Sequence, residues 1–142
     1  MLTHSKQKGN IGEAKCLAAL VSLGNPVLLP FGDNERYDLV VESKTGELLK
    51  AQIKYSSQIS PNGSLDFALV SSKNHTTNKI KDSYEEEIDI FLLYHSVVDQ
   101  IFVLNKEQFK GKKSINFRLT EAKNGQTKGI NFAQDFLLKE RI

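Results

Sequence analysis

The stretch that decides the fold reads Arg36-Tyr37-Asp38-Leu39-Val40-Val41, then a polar turn over residues 43–47, then Gln52-Ile53-Lys54. Short runs of β-branched and apolar residues on either side of a polar turn predict a β-hairpin. We expect its strands at about 36–42 and 47–55. Because side chains alternate between the two faces of a strand, Gln52 and Lys54 share one face, and the hairpin places the strand of Asp38 beside them.

A helix is predicted over residues 10–24, where apolar side chains recur at helical spacing and a glycine follows as a stop signal. Glu13 lies four residues before Leu17, which puts its carboxylate on or beside the apolar stripe. A carboxylate facing the core is costly unless it is paired, protonated or bound to a metal. One site is therefore predicted from the helix and the hairpin together, and its members are Glu13, Asp38, Gln52 and Lys54.

The rest of the chain predicts short strands separated by polar segments. Strands are expected at about 26–30, 65–70, 88–94 and 100–104, with a loop at 56–63 and a polar segment with a possible short helix at 73–83. Asn105 is a predicted cap for a helix at 106–110, and residues 129–142 predict a short helix or an irregular arm. This order of elements predicts an α/β fold with a central mixed β-sheet flanked by helices, in a single domain over residues 1–142.

The composition is that of an ordinary globular protein, with 39% hydrophobic and 25% charged residues. No apolar run approaches the length of a membrane span, and the first six residues lack the apolar stretch of a signal peptide. The lone Cys16 implies no disulfide bond. We therefore expect no membrane association and a cytoplasmic location.

The charge of the chain is small but unevenly distributed. The formal net charge is +2, whereas residues 106–128 hold seven basic and two acidic side chains, a local net charge of +5. Such asymmetry suits a protein with one DNA-facing surface, although a solvated basic tail explains the charge equally well. The lysines predicted to contact DNA, in this segment and in the polar segment before it, are Lys73, Lys79, Lys112, Lys113, Lys123 and Lys128.

Three short motifs carry a family resemblance: Gly9-Asn10-Ile11-Gly12-Glu13, then Tyr37-Asp38-Leu39-Val40-Val41, then Gln52-Ile53-Lys54. In this order they resemble the active-site pattern of the PD-(D/E)XK nuclease superfamily. More narrowly, they resemble its small single-domain members that act as group I intron-encoded homing endonucleases, known from cyanobacteria. The resemblance covers residues 9–55 and continues more weakly at 88–94. Gln52 departs from the usual Asp or Glu, although some members of this type use Gln there.

The resemblance implies a restriction-endonuclease-like core and a metal-dependent, site-specific double-strand DNA endonuclease. It assigns catalysis to Glu13, Asp38, Gln52 and Lys54, of which the first three are implied metal ligands. Mg2+ is the implied ion, with Mn2+ as a substitute, because hard cations take oxygen ligands. The amide oxygen of Gln52 ligates without adding charge. Lys54 is expected to orient the attacking water and to stabilise developing charge.

Alternative interpretations stay open from the residues alone. An Asp and a Lys on neighbouring strands often form a structural ion pair, and a Glu near a helix start often serves the helix dipole. On the same core, a Holliday-junction resolvase or a restriction endonuclease is an alternative. A non-catalytic DNA-binding protein with a degenerate nuclease site is another, because Gln52 removes one carboxylate. If the chain is a nuclease, cutting both strands of a duplex predicts a homo-oligomer, either a dimer or a tetramer.

Overall fold

A five-stranded mixed sheet lies at the centre of the protein, whose computed structural model describes residues 4–32, 34–72, 81–82, 86–120 and 129–142. Its strands, in spatial order, are β1 (Val27–Leu28), β2 (Leu39–Glu42), β3 (Leu48–Ser56), β8 (Ile90–His95) and β9 (Gln100–Asn105). The β3–β8 pair is parallel and the other pairs are antiparallel. The central mixed sheet expected from the sequence is therefore confirmed.

The predicted hairpin of β2 and β3 is present, with Leu39 opposite Ala51 and Glu42 opposite Leu48. Gly46 in its turn adopts a φ of 89°, a left-handed conformation that glycine tolerates without strain. The first hairpin strand is shorter than predicted, because pairing begins at Leu39 and leaves Asp38 just outside the ladder. This early end of the pairing shapes the candidate site.

Helix α1 (Ser5–Ser22) covers one face of the central sheet, beginning five residues before its predicted start. Its buried residues are Gly12, Cys16 and Leu20. A Cβ atom added at Gly12 would meet Ile53 Cγ2 and Tyr55 Cβ, each at 3.5 Å. The small residue therefore lets the helix lie close to β3, and the hydrophobic contact with the sheet holds it there.

The opposite face of the central sheet is covered by a three-stranded antiparallel sheet instead of the expected helix. Its strands, in spatial order, are β10 (Ser114–Phe117), β5 (Leu65–Ala68) and β4 (Gln58–Ile59). Phe67 and Phe117 of this sheet pack against Phe102 of β9, with ring centroids 6.3 and 5.0 Å away. The layer closes the second hydrophobic core, which the central sheet separates from the core under α1.

One sequence prediction was wrong in this region. Residues 56–63 were expected to be a loop, yet they contain β4, which is only two residues long. Strand β10 in the basic segment was not predicted, and its Phe117 is fully buried in the core. A strand of two or four residues carries too little periodicity to be recognised, and flanking lysines hide its apolar positions.

The remaining elements are short. Helix α2 (Lys106–Phe109) begins at the predicted cap, where Asn105 and Gln108 form a capping box. The C-terminal segment forms two 3₁₀ turns, Ala133–Phe136 and Leu138–Glu140. Within the predicted polar segment, only β7 (Lys81–Asp82) is described, and it pairs with β6 (Ser71–Ser72). In the described parts of the chain, no helix is long and apolar enough to cross a membrane.

Candidate active site

The candidate site lies where β2 stops pairing with β3. The last paired residue on this side is Leu39, opposite Ala51, so Ile53 has no strand partner in β2. The Ile53 N–H instead donates to Asp38 Oδ2 over 2.8 Å. Because backbone N–H groups point within the plane of a sheet, this bond holds the Asp38 carboxylate at the edge of β3, between the two faces of the sheet.

Helix α1 brings a second carboxyl group to the same place. Glu13 follows the close-packed Gly12, and its carboxyl group lies near that of Asp38 and interacts with it. Two carboxyl groups brought this close disfavour ionisation of both at once. Glu13 is exposed and directly follows the buried Gly12 in the helix.

Burial raises the pKa of both carboxyl groups. For Glu13, loss of hydration is the main cause, and the charge of Asp38 and the shared hydrogen bond raise its pKa further. For Asp38, loss of hydration also raises the pKa, whereas the Ile53 N–H, the Glu13 hydrogen bond and the charge of Lys54 act in the opposite direction. Two acids held together with raised pKa values are typical of a functional site.

A small cleft opens above this pair. Its volume is about 280 Å³, and Glu13 and Asp38 line it together with Leu29, Leu39 and Ile53. The apolar walls remove water from the carboxyl groups, which is the physical origin of their raised pKa values. A cleft with carboxyl groups at its base and apolar side chains around them suits a small cation.

Lys54 and Gln52 lie on the other face of the sheet. Ala51 and Ile53 belong to the core under α1, and alternation therefore turns Gln52 and Lys54 away from the helix. Both side chains are half-buried. The positive charge of Lys54 lowers the pKa of Asp38. The site thus straddles the edge of β3, with Glu13 on one side and Lys54 on the other.

The donor set suits a hard divalent cation. Two carboxyl groups and the amide oxygen of Gln52 offer only oxygen ligands, which Mg2+ and Mn2+ accept. A cation bound beside Glu13 and Asp38 would relieve the repulsion by which Asp38 raises the pKa of Glu13. In the described ranges, no group of three His, Cys, Asp or Glu side chains gathers at one point.

A second and larger groove begins at Lys54. Its volume is about 630 Å³, and its walls include Lys8 of α1, Lys54 of β3 and the outer face of the three-stranded sheet. Sequence reasoning did not identify this groove. The signal was the alternation Ser114-Ile115-Asn116-Phe117, in which every second side chain is buried.

Of the six lysines predicted to contact DNA, two lie within the described residues. Lys112 and Lys113 are exposed and immediately precede β10. The backbone carbonyl of Lys113 accepts from the Leu69 N–H at 2.9 Å, so this end of the three-stranded sheet is held in place. The remaining predicted lysines, Lys73, Lys79, Lys123 and Lys128, lie outside the described residues.

The chain was compared with known families and structures. A sequence model of the PD-(D/E)XK endonuclease family matches residues 3–139. The fold is similar to that of a bacterial homing endonuclease, I-Ssp6803I, with a TM-score of 0.75 and 21% sequence identity over 94% of this chain and 88% of that one. No curated protein sequence matches the chain significantly. The likeness confirms the α/β, restriction-endonuclease-like core expected from the sequence.

Proposed function

Because this chain belongs to the PD-(D/E)XK endonuclease family, we propose that it is a metal-dependent, site-specific endonuclease that hydrolyses phosphodiester bonds in double-stranded DNA. The observation that carries the proposal is the Glu13–Asp38 pair, held at the edge of β3 by the Ile53 N–H and facing the charge of Lys54. Glu13 on the helix, Asp38 on the hairpin and Lys54 on the strand follow one another along the chain in the order of the family pattern.

The carboxylates and the amide prepare the site for a cation. Glu13, Asp38 and the amide oxygen of Gln52 are the residues that would hold Mg2+ or Mn2+. A bound divalent cation supplies two kinds of chemistry there, a lower pKa for a water molecule and neutralisation of charge on the phosphate. The Ile53 N–H occupies one lone pair of Asp38 and so fixes the direction of the other carboxylate oxygen. Glu13 and Asp38 would hold the cation as carboxylates, so its binding would depend on pH.

Lys54 supplies the fixed positive charge of the proposed mechanism. Lys54 lines the large groove, and its charge acts on Asp38. A phosphate in the groove would therefore lie beside the lysine that faces the carboxylate pair. The ammonium donates hydrogen bonds to the attacking water or to a phosphate oxygen, and it stabilises the negative charge that develops in the transition state.

The proposal extends to the homing type, to oligomer formation and to location. A shared fold with a homing endonuclease supports a single-domain homing enzyme encoded within an intron. One carboxylate pair cuts one strand, so cleavage of a duplex requires at least two copies, as a dimer or a tetramer, on a pseudo-palindromic target. A cytoplasmic location belongs to the same proposal.

Cleavage of supercoiled plasmids provides the test. Plasmids that carry fragments of the source genome would be incubated with the purified protein in Mg2+, in Mn2+ and in EDTA, and discrete linear products mapped by sequencing. We expect metal-dependent cutting at one site, lost in Asp38→Asn and retained in Glu47→Gln, an exposed acid in the hairpin turn. Equal activity of the wild type and Asp38→Asn would assign any cutting to a contaminant and contradict the proposal.

One observation favours a second candidate, a DNA-binding protein without catalysis. Gln52 stands where the family pattern usually has an acid, and the described site contains two carboxyl groups instead of three. This candidate predicts tight binding of duplex DNA with no nicking in either metal. Preference for four-way junctions in the same assay would instead indicate a junction resolvase, and a short target of about six base pairs a restriction endonuclease.

A further inference from the structure

The outer face of the three-stranded sheet carries a row of polar side chains. Asp66 of β5 pairs with Gln58 of β4 on one side and with Asn116 of β10 on the other. Cross-strand partners in a sheet point to the same face. The three side chains therefore form one line across the strands, and a second pair, Ala68 and Ser114, lies two residues further along.

The backbone beneath this row is firmly held. Leu65, Phe67 and Phe117 point inward from the same strands and are buried in the core. The fully buried His95 contacts the Gln58 carbonyl through Nε2 at 2.9 Å, while its Nδ1 accepts from the Val97 N–H at 3.3 Å. Since Nδ1 accepts, Nε2 carries the proton and donates to Gln58. A rigid support of this kind is what a recognition surface requires.

The row shares a groove with Lys54 of the candidate active site. Gln58, Asp66 and Asn116 line the same groove of about 630 Å³ that begins at Lys54. Lys8 also lines this groove, and the exposed Lys112 and Lys113 lie where the chain enters β10. Lysines therefore lie at the margins of the face and one acidic residue lies at its centre. The phosphates of a bound nucleic acid would contact the lysines, and its base edges would contact the row.

We propose that Gln58, Asp66 and Asn116 read base edges in the major groove of double-stranded DNA, an inference that rests on the proposed function. Gln and Asn side chains recognise adenine through paired hydrogen bonds, and an Asp carboxylate accepts from the amino group of cytosine. A carboxylate repels phosphate, so its central place favours base contacts over backbone contacts.

The dimensions of the face agree with this role. Neighbouring strands lie about 4.8 Å apart, so the row from Gln58 to Asn116 spans roughly 10 Å. The major groove is about 12 Å wide and admits β-strands. Binding there would bring Lys54, which lines the same groove, towards the adjacent phosphate backbone.

The experiment measures sequence preference without cleavage. A randomised 40-base-pair duplex library would be bound by the Asp38→Asn protein in Ca2+, and the bound fraction sequenced. Gln58→Ala, Asp66→Ala and Asn116→Ala would each be combined with Asp38→Asn. We expect each added change to reduce the preference by roughly 5- to 100-fold at one or two adjacent positions and to leave the rest of the motif intact.

Matched controls separate base reading from general binding. Gln134→Ala removes an exposed amide that does not line the groove, and it should leave the motif unchanged. Lys8→Ala should lower the slope of log affinity against log salt by about one, while Gln58→Ala and Asn116→Ala should not change it. Thermal melting of each variant checks that the fold is kept.

The outcomes are distinguishable from those of the cleavage test. An unchanged motif in all three folded variants overturns the inference, and so does a protein that binds the library without selecting any motif. Altered motifs in a protein that never cuts DNA support the inference and reject the proposed catalysis. Failure of the Asp38→Asn protein and of the wild type to retain any duplex overturns both.

Discussion

The Ile53 N–H and Asp38 Oδ2 are joined by a 2.8 Å hydrogen bond at the point where the hairpin strands separate. A side-chain oxygen here replaces the backbone acceptor that β2 would have supplied. The bond ties the carboxylate to β3, and Lys54 is the next residue along that strand. The distance between the acid and the lysine is therefore set by the backbone of one strand rather than by a flexible loop.

Asp38→Asn is predicted to lower the cleavage rate at least 100-fold while duplex binding is retained. The amide oxygen of Asn can still accept from the Ile53 N–H, so the geometry survives and the negative charge is lost. Cleavage rate and affinity would be measured on the same duplex. Near wild-type cutting by the folded variant would show that the charge of Asp38 has no part in catalysis.

Lys54→Ala is predicted to lose roughly 100-fold in rate, the typical scale for a positioned acid–base or electrostatic group. Excess Mg2+ should not restore the rate, because a cation ligand and an ammonium group do different work. Lys50→Ala is the matched control, since Lys50 lies on the same strand and, by alternation, on the same face. If high Mg2+ restored the rate of Lys54→Ala, or if Lys50→Ala lost as much rate, the role of Lys54 would be limited to substrate binding.

Gln52 substitutions test whether the third ligand is an amide. Gln52→Glu adds charge at the same position and is predicted to lower the Mg2+ midpoint of cleavage with activity retained or partly reduced. Gln52→Ala removes the oxygen and should raise that midpoint and cut poorly. Titration of cleavage against Mg2+ measures both. If Gln52→Ala keeps the wild-type rate and midpoint, the amide is not a ligand.

Cys16 is predicted to be inert in the native protein. Burial, followed by the charges of Asp38 and Glu13, raises the pKa of its thiol to about 12, so at pH 8 almost none of it is the reactive thiolate. A chromogenic disulfide reagent should release no colour from the folded protein and one equivalent in urea, since the chain has a single Cys. Rapid reaction of the folded protein would show that α1 opens readily.

Gly12 substitutions test the close contact between α1 and β3. Gly12→Leu should destabilise the protein by about 1–3 kcal/mol, because the added atoms must displace Ile53 and Tyr55. Gly12→Ala places its Cβ at an ordinary contact distance of 3.5 Å and should be tolerated. Gly9→Ala is the control, as its Cβ would meet nothing within 4 Å. Denaturant unfolding measures all three, and an unaltered midpoint in Gly12→Leu would contradict the close packing.

The hairpin and the first helix were predictable because their signals are local. Alternating apolar residues around a polar turn specified β2 and β3, and helical spacing with a following glycine specified α1. The residues that the motifs nominated, Glu13, Asp38 and Lys54, do come together in the structure. Their roles in catalysis remain predictions, as does the role of Gln52.

The three-stranded sheet was not predictable for the opposite reason. Strand β4 has two residues, and β10 lies among lysines with an apolar residue only at every second position. The pairing of Asp66 with both Gln58 and Asn116 joins residues that are distant in the chain. Such pairing depends on burial of Phe67 and Phe117 against the central sheet, which no local window of sequence contains.

By itself, the sequence determined the periodicities, and with them the helix, the hairpin and the identity of the groups available for chemistry. Only the tertiary structure decided that Glu13 approaches Asp38 from one face of β3 and that Lys54 faces the other side. The physical reason is that strand pairing ends at Leu39. The backbone N–H left at Ile53 needs an acceptor, and the acceptor it finds is the carboxylate of Asp38.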